Sequence, residues 1–124
     1  MNLKIISPTI HGLLDYAAAA GLIVLPFILD LGATSPLALW LSVAGGIGLI
    51  GYSLLTDYTF GPFGVLPFRA HLALDLTAAV AFFAAPFVFG WGGLVAAYYA
   101  VMGAGVVAVV LLSQRDAPQP VVST

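Results

Sequence analysis

The sequence predicts an all-α membrane protein, a four-transmembrane-helix bundle made of two duplicated helical hairpins with pseudo-two-fold symmetry. Three observations predict it. The chain of 124 residues is 62% hydrophobic and only 6% charged, whereas soluble domains carry roughly 25% charged residues. Four apolar stretches each approach the length of about 20 residues that a spanning helix needs. Finally, the sequence repeats: His71 minus His11 is 60, and Asp75 minus Asp15 is also 60. That offset carries Pro26-Phe27 onto Pro86-Phe87, Gly32 onto Gly92, Gly45 onto Gly105, and Ala18-Ala19 onto Ala78-Ala79. Self-similarity held at a fixed offset reads as internal duplication.

The first helix is expected over residues 9–29, with Ser7-Pro8 as its start signal. The second is expected over 36–57 with Ser35 as N-cap, the third over 68–89, and the fourth over 93–113. Gly90-Trp91-Gly92-Gly93 separates the last two. Pro26 and Pro86 are expected to kink or end their helices, because each removes a backbone donor. The apolar runs are unbroken and rich in Ala, Leu and Gly. Barrel strands would alternate apolar and polar residues instead, and helices satisfy their own backbone groups in lipid.

The whole chain, 1–124, reads as a single membrane domain, with one repeat over 7–58, a second over 67–116 and a polar tail over 114–124 that is expected to be flexible. His11 and Asp15 interrupt the first apolar stretch, so it reads as a mature helix and not a cleaved leader. Short connections after residues 29 and 89 pair helices one with two and three with four as antiparallel hairpins. The longer link from Tyr58 to Pro67 is apolar and is expected in the interfacial layer or against a partner.

Lys4, Arg69 and Arg115 fall on one side, and Asp30 alone marks the other. The positive-inside rule places both termini in the cytoplasm. Trp40 and Trp91 are expected in an aromatic belt at the opposite end. Small residues at Ala44/Gly48 and Ala100/Ala104 share helix faces and are expected to carry the close helix packing. With three Lys+Arg and a formal net charge of −2, no basic stripe exists to neutralise nucleic-acid phosphates. The absence of cysteine excludes thiol catalysis, disulfides and thiolate metal sites.

The run Gly21-Leu22-Ile23-Val24-Leu25-Pro26-Phe27-Ile28-Leu29-Asp30-Leu31-Gly32, followed by Trp40 and a Gly-rich helix, resembles a unit of the SPW-repeat membrane proteins. Ala84-Ala85-Pro86-Phe87-Val88-Phe89-Gly90-Trp91-Gly92 resembles the same unit again, and the resemblance spans residues 10–113. It implies a small bacterial membrane protein of paired-helix units with no assigned activity. The family's Ser-Pro-Trp stands here as Leu25-Pro26-Phe27 and Ala85-Pro86-Phe87, so only the Pro is kept, with an aromatic after it.

His11 and Asp15 are four residues apart and share a helix face, as do His71 and Asp75. Each Asp lies about 6 Å further along its helix than its His. Helices one and three enter from the same side, so all four groups lie at one depth. Ionisable groups inside a membrane are costly and mark function or internal pairing. Three readings follow. The four residues pin the hairpins together; or they hold a metal ion or a haem, through imidazole and carboxylate; or they conduct protons or a small solute. Asp57 is expected to form an interface ion pair with Arg69 or Lys4, since a carboxylate opposes the dipole at a helix C-terminus. No phosphate loop and no nucleophile with a placed base is present. The expected role is therefore non-enzymatic: a structural or accessory subunit in the bacterial cytoplasmic membrane, in contact with lipid, with copies of itself or with other membrane subunits, and with no certain cofactor.

Overall fold

The computed structural model describes residues 3–115 and consists of four long helices. They are α1 (Pro8–Ile28), α2 (Pro36–Leu55), α3 (Phe68–Phe89) and α4 (Gly93–Leu112). All four are long and apolar enough to cross a membrane. A short 3-10 turn, Leu31–Ala33, joins α1 to α2. The tail beyond residue 115 lies outside the described residues.

The helix starts follow local chemistry. The Ser7 hydroxyl accepts from the Ile10 amide at 3.2 Å, and Ser35 accepts from Leu37 at 3.2 Å. Each cap is followed by Pro in the first helical position, where its missing N–H costs nothing. α3 begins after Pro67 with no side-chain cap. It ends on Gly90 at φ 71°, the left-handed conformation that glycine adopts most cheaply. Pro26 and Pro86 are buried inside the last turns, and the helices continue two and three residues past them. The prolines therefore neither end their helices nor break the hairpins.

α1 packs along α2, and α3 along α4. The close approach in each pair sits at one glycine. A Cβ on Gly46 would lie 2.8 Å from the Ala19 carbonyl oxygen and 2.8 Å from Ile23. A Cβ on Gly103 would lie 3.2 Å from Phe83 and 3.3 Å from the Ala79 carbonyl oxygen. Ala79 and Phe83 follow Ala19 and Ile23 by 60 residues, but Gly103 minus Gly46 is 57. The second hairpin is therefore matched to the first through a shorter connection that moves the offset from 60 to 57: α2 starts at Pro36 and α4 at Gly93. The ungapped register that set Gly45 on Gly105 holds for α1 and α3 and slips for α2 and α4.

The expected packing face is also corrected. Ala44, Gly48, Ala100 and Ala104 are all exposed. Small residues occur on every side of α2 and α4, so spacing alone could not choose among the faces. The buried face of α2 runs through Ala38, Ser42, Gly46, Leu49 and Ser53. Trp91 departs from the belt as well: it is buried, with its ring 5.2 Å from Tyr99, while Trp40 is exposed. The outer faces carry exposed Phe, Val, Leu and Ile, the surface that a bilayer, not water, accommodates.

Candidate functional site

The two hairpins meet through polar side chains at both ends, and a hollow lies between them. At the end where residues 3–7 and 58–67 lie, α1 and α3 bring His11, Asp15, His71 and Asp75 together. All four are buried, both histidines completely. His11 Nε2 lies 3.1 Å from Asp15 and 2.9 Å from Asp75, and His71 Nε2 lies 3.0 Å from Asp15 and 3.4 Å from Asp75. Imidazole nitrogens and carboxylate oxygens therefore alternate around a small ring, in which one ligand atom per residue falls within 4.8 Å of all the others. The i,i+4 spacing on two parallel helices is sufficient to build it.

A second layer, drawn from the ends of α2 and α4, orients the ring. His71 Nδ1 lies 2.7 Å from the Thr56 hydroxyl, and His11 Nδ1 lies 2.7 Å from the Ser113 hydroxyl. Those hydroxyls already have an acceptor. Thr56 donates to the Tyr52 carbonyl and Ser113 to the Val109 carbonyl, each at 2.6 Å. At both positions the backbone amide has turned to a closer carbonyl, Ser53 for Thr56 and Val110 for Ser113. The hydroxyl thus takes the place of the missing helical donor. With its hydrogen committed, each hydroxyl oxygen accepts, so each imidazole donates from Nδ1 and turns Nε2 toward the carboxylates.

Two tyrosines complete the shell. Tyr52 donates to Asp75 Oδ1 at 2.6 Å, and Tyr58 donates to Asp15 Oδ2 at 2.9 Å. Tyr58 lies beyond α2, and burial pushes its hydroxyl well above the ordinary tyrosine range, so it remains a donor. Its ring and Phe60 rest on α1 at Gly12, where a Cβ would come within 3.1 Å of both. Tyr16 donates to the Phe60 carbonyl at 2.7 Å and fixes that turn of the link. The aromatic link was expected at the interface or on a partner; its first residues also form part of the site.

At the far end, α2 and α4 are joined by neutral groups. The Ser42 hydroxyl donates to the Leu22 carbonyl at 2.8 Å and takes the Tyr98 hydroxyl at 2.6 Å. Tyr99 donates to the Ala38 carbonyl at 2.5 Å. Between the two ends is a cavity of about 590 Å³, lined by apolar side chains and glycines of all four helices, with Asp15, Asp75 and Tyr52 as its polar border.

Of the sequence-predicted site residues, the structure brings together His11, Asp15, His71 and Asp75. Asp57 is exposed at the end of α2, apart from the ring. Arg69 is exposed and Lys4 half-buried at the same end. A haem does not fit. The macrocycle would have to pass between two imidazoles whose centroids are 5.2 Å apart, where both carboxylates already sit. Tyr52, Thr56, Tyr58 and Ser113 were missed as site residues. Their signal was present in the sequence: polar side chains at the same end as the two His/Asp pairs. Comparison with known protein families, characterised proteins and solved structures gives no match.

Proposed function

We propose that the protein is a non-enzymatic structural element of the bacterial cytoplasmic membrane, an accessory subunit whose two hairpins arose by duplication. One observation carries the structural role: the ring's hydrogen bonds run from hairpin to hairpin. His11 of α1 bonds Asp75 of α3 and Ser113 after α4, while Tyr52 of α2 bonds Asp75 and Thr56 after α2 bonds His71. Polar groups in hydrocarbon that satisfy one another across helices fix their register.

The accessory role is supported by matched apolar side chains beyond the helices. Leu3 and Ile5 precede α1 and are 63% and 73% exposed; Phe63 and Val65 precede α3 and are 65% and 72% exposed. They occupy equivalent places in the two hairpins, at the end that Lys4, Arg69 and Arg115 mark as cytoplasmic under the positive-inside rule. Such a pair of prongs suits contact with another subunit at the membrane surface. The resemblance of Pro26-Phe27 and Pro86-Phe87 to SPW-repeat units belongs to the same proposal.

Gentle extraction of native membranes followed by native electrophoresis tests it. Migration in a complex much larger than one chain is expected, and Phe63→Ser/Val65→Ser is expected to release the protein from it. Migration only as a free monomer overturns the accessory reading. Unchanged thermal stability in His11→Ala/His71→Ala overturns the structural one.

A further inference from the structure

We infer that His11, Asp15, His71 and Asp75 form a binding site for one divalent transition-metal ion of the Zn(II) class. The inference starts from the direction of one buried atom. His71 Nε2 is fully buried and 3.0 Å from Asp15 Oδ2, yet it makes a hydrogen bond to neither carboxylate. Its Nδ1 is held by Thr56, so the ring cannot turn to improve that geometry without losing a bond of 2.7 Å. Nε2 faces the two carboxylates without a hydrogen bond to either, and once deprotonated it presents its lone pair to an ion held among the four residues.

The donor set and its spacing agree with such an ion. Bonds of about 2.0–2.2 Å to nitrogen and oxygen place neighbouring ligand atoms of a tetrahedron roughly 3.3 Å apart. The four His–Asp distances, which use both oxygens of Asp15, run from 2.9 to 3.4 Å, and one ligand atom from each residue lies within 4.8 Å of all the others, so small side-chain shifts bring the set to that spacing. Two imidazoles with two carboxylates suit Zn(II), Fe(II), Co(II) or Mn(II) better than Mg(II) or Ca(II), which favour oxygen donors throughout.

Charge agrees as well. When an ion replaces the protons on Nε2, the two carboxylates are left with −2, and one divalent ion neutralises them where hydrocarbon penalises any residue of charge. The outer layer is of the kind metal-bound histidines have, with the far ring nitrogen donating to a fixed oxygen. Here both oxygens are held by helix-terminal carbonyls, so the sites on His11 and His71 are oriented before any ion arrives.

The test uses the full chain, purified in detergent, stripped with chelator and shown by circular dichroism to be helical. It is titrated with Co(II) and then with Zn(II). One Co(II) per chain is expected, with visible d–d absorption of tetrahedral intensity, displaced by one equivalent of Zn(II). Asp15→Asn/Asp75→Asn keeps the shape of the ring and is expected to abolish the absorption. Thr56→Ala or Ser113→Ala leaves all four ligands in place and is expected to weaken binding about 10- to 100-fold by freeing an imidazole. A folded wild-type chain that binds no Co(II) overturns the inference, and so does absorption that survives in the double Asn variant. The wild-type titration decides the matter even where a variant fails to fold. It also separates this inference from the structural role, which the histidine variants test by stability alone.

Discussion

The contact inside each hairpin and the contact between hairpins use the same small residues to opposite ends. Within a hairpin, Gly46 and Gly103 let one backbone press on another; a single methyl group would collide at Gly46 and be tightly squeezed at Gly103. Between hairpins, Gly48 and Gly105 face open space and border the cavity. There, the polar groups at the two ends add to an apolar cluster that joins Leu22 and Leu49 to Phe82 and Tyr99. Lipid offers little hydrophobic drive for one apolar helix to leave it for another, so association rests on close packing or on interhelical hydrogen bonds. In this molecule close backbone packing is concentrated within the hairpins and most side-chain hydrogen bonds between them, with Ser42 to Leu22 as a bond inside the first hairpin.

Breaking the ring gives the largest expected effect. Asp75→Ala removes the acceptor shared by His11 and Tyr52 and the carboxylate 3.4 Å from His71, and breaking a buried pair from one side costs about 3–5 kcal/mol. Thermal unfolding in detergent checks it, and a loss near zero would leave the hairpins held by something else. Gly46→Val comes next. Its Cβ meets a carbonyl oxygen that cannot swing away, and overpacking costs about 1–3 kcal/mol; the same assay reads it. Tyr99→Phe deletes the donor to the Ala38 carbonyl at the far end. A loss of about 0.6 kcal/mol and at most about 1.7 kcal/mol is expected, the average and the maximum for hydrogen bonds between membrane helices. A cost equal to that of Asp75→Ala would make the two ends equivalent and erase the contrast. Gly48→Leu has the smallest effect. It projects into open space, so stability should hold, or rise by up to about 1 kcal/mol through helix propensity. Severe destabilisation would show that the hollow is closed to side chains.

The fold was legible because membrane helices announce themselves by length, and the hairpins by short links between them. Residues 68–89 of the third helix were placed to the residue. The ring was legible too: two His/Asp pairs at i,i+4, both on helices entering from one side, must share a depth. What stayed hidden was rotation. When small residues surround a helix, no stripe distinguishes the face that meets a neighbour from the face that meets lipid. Ala44, Gly48, Ala100 and Ala104 were therefore chosen over Gly46 and Gly103. The shorter second connection was hidden for a related reason, because Gly-rich helices align almost equally well when shifted by three residues. Thr56 and Ser113 stayed hidden because their role depends on where a helix stops. A hydroxyl one residue past the end can cap a carbonyl and hold a histidine at once, whereas one turn earlier it serves only its own helix.

The backbone crossings at the end of the bundle carry one more consequence. Leu66, before α3, pairs in parallel with Thr56, after α2; Ile6, before α1, pairs in the same way with Ser113, after α4. One crossing is spanned by the covalent link 57–65, and the other is closed by hydrogen bonds alone, Ile6 to Leu112 at 2.9 Å and Gln114 to Ile6 at 2.8 Å. The order of the hairpins along the polypeptide is thus a matter of indifference to their assembly. A gene encoding α3-α4 first, joined through a copy of the link to α1-α2, should give the same bundle, and the two halves made as separate polypeptides should find each other in the membrane.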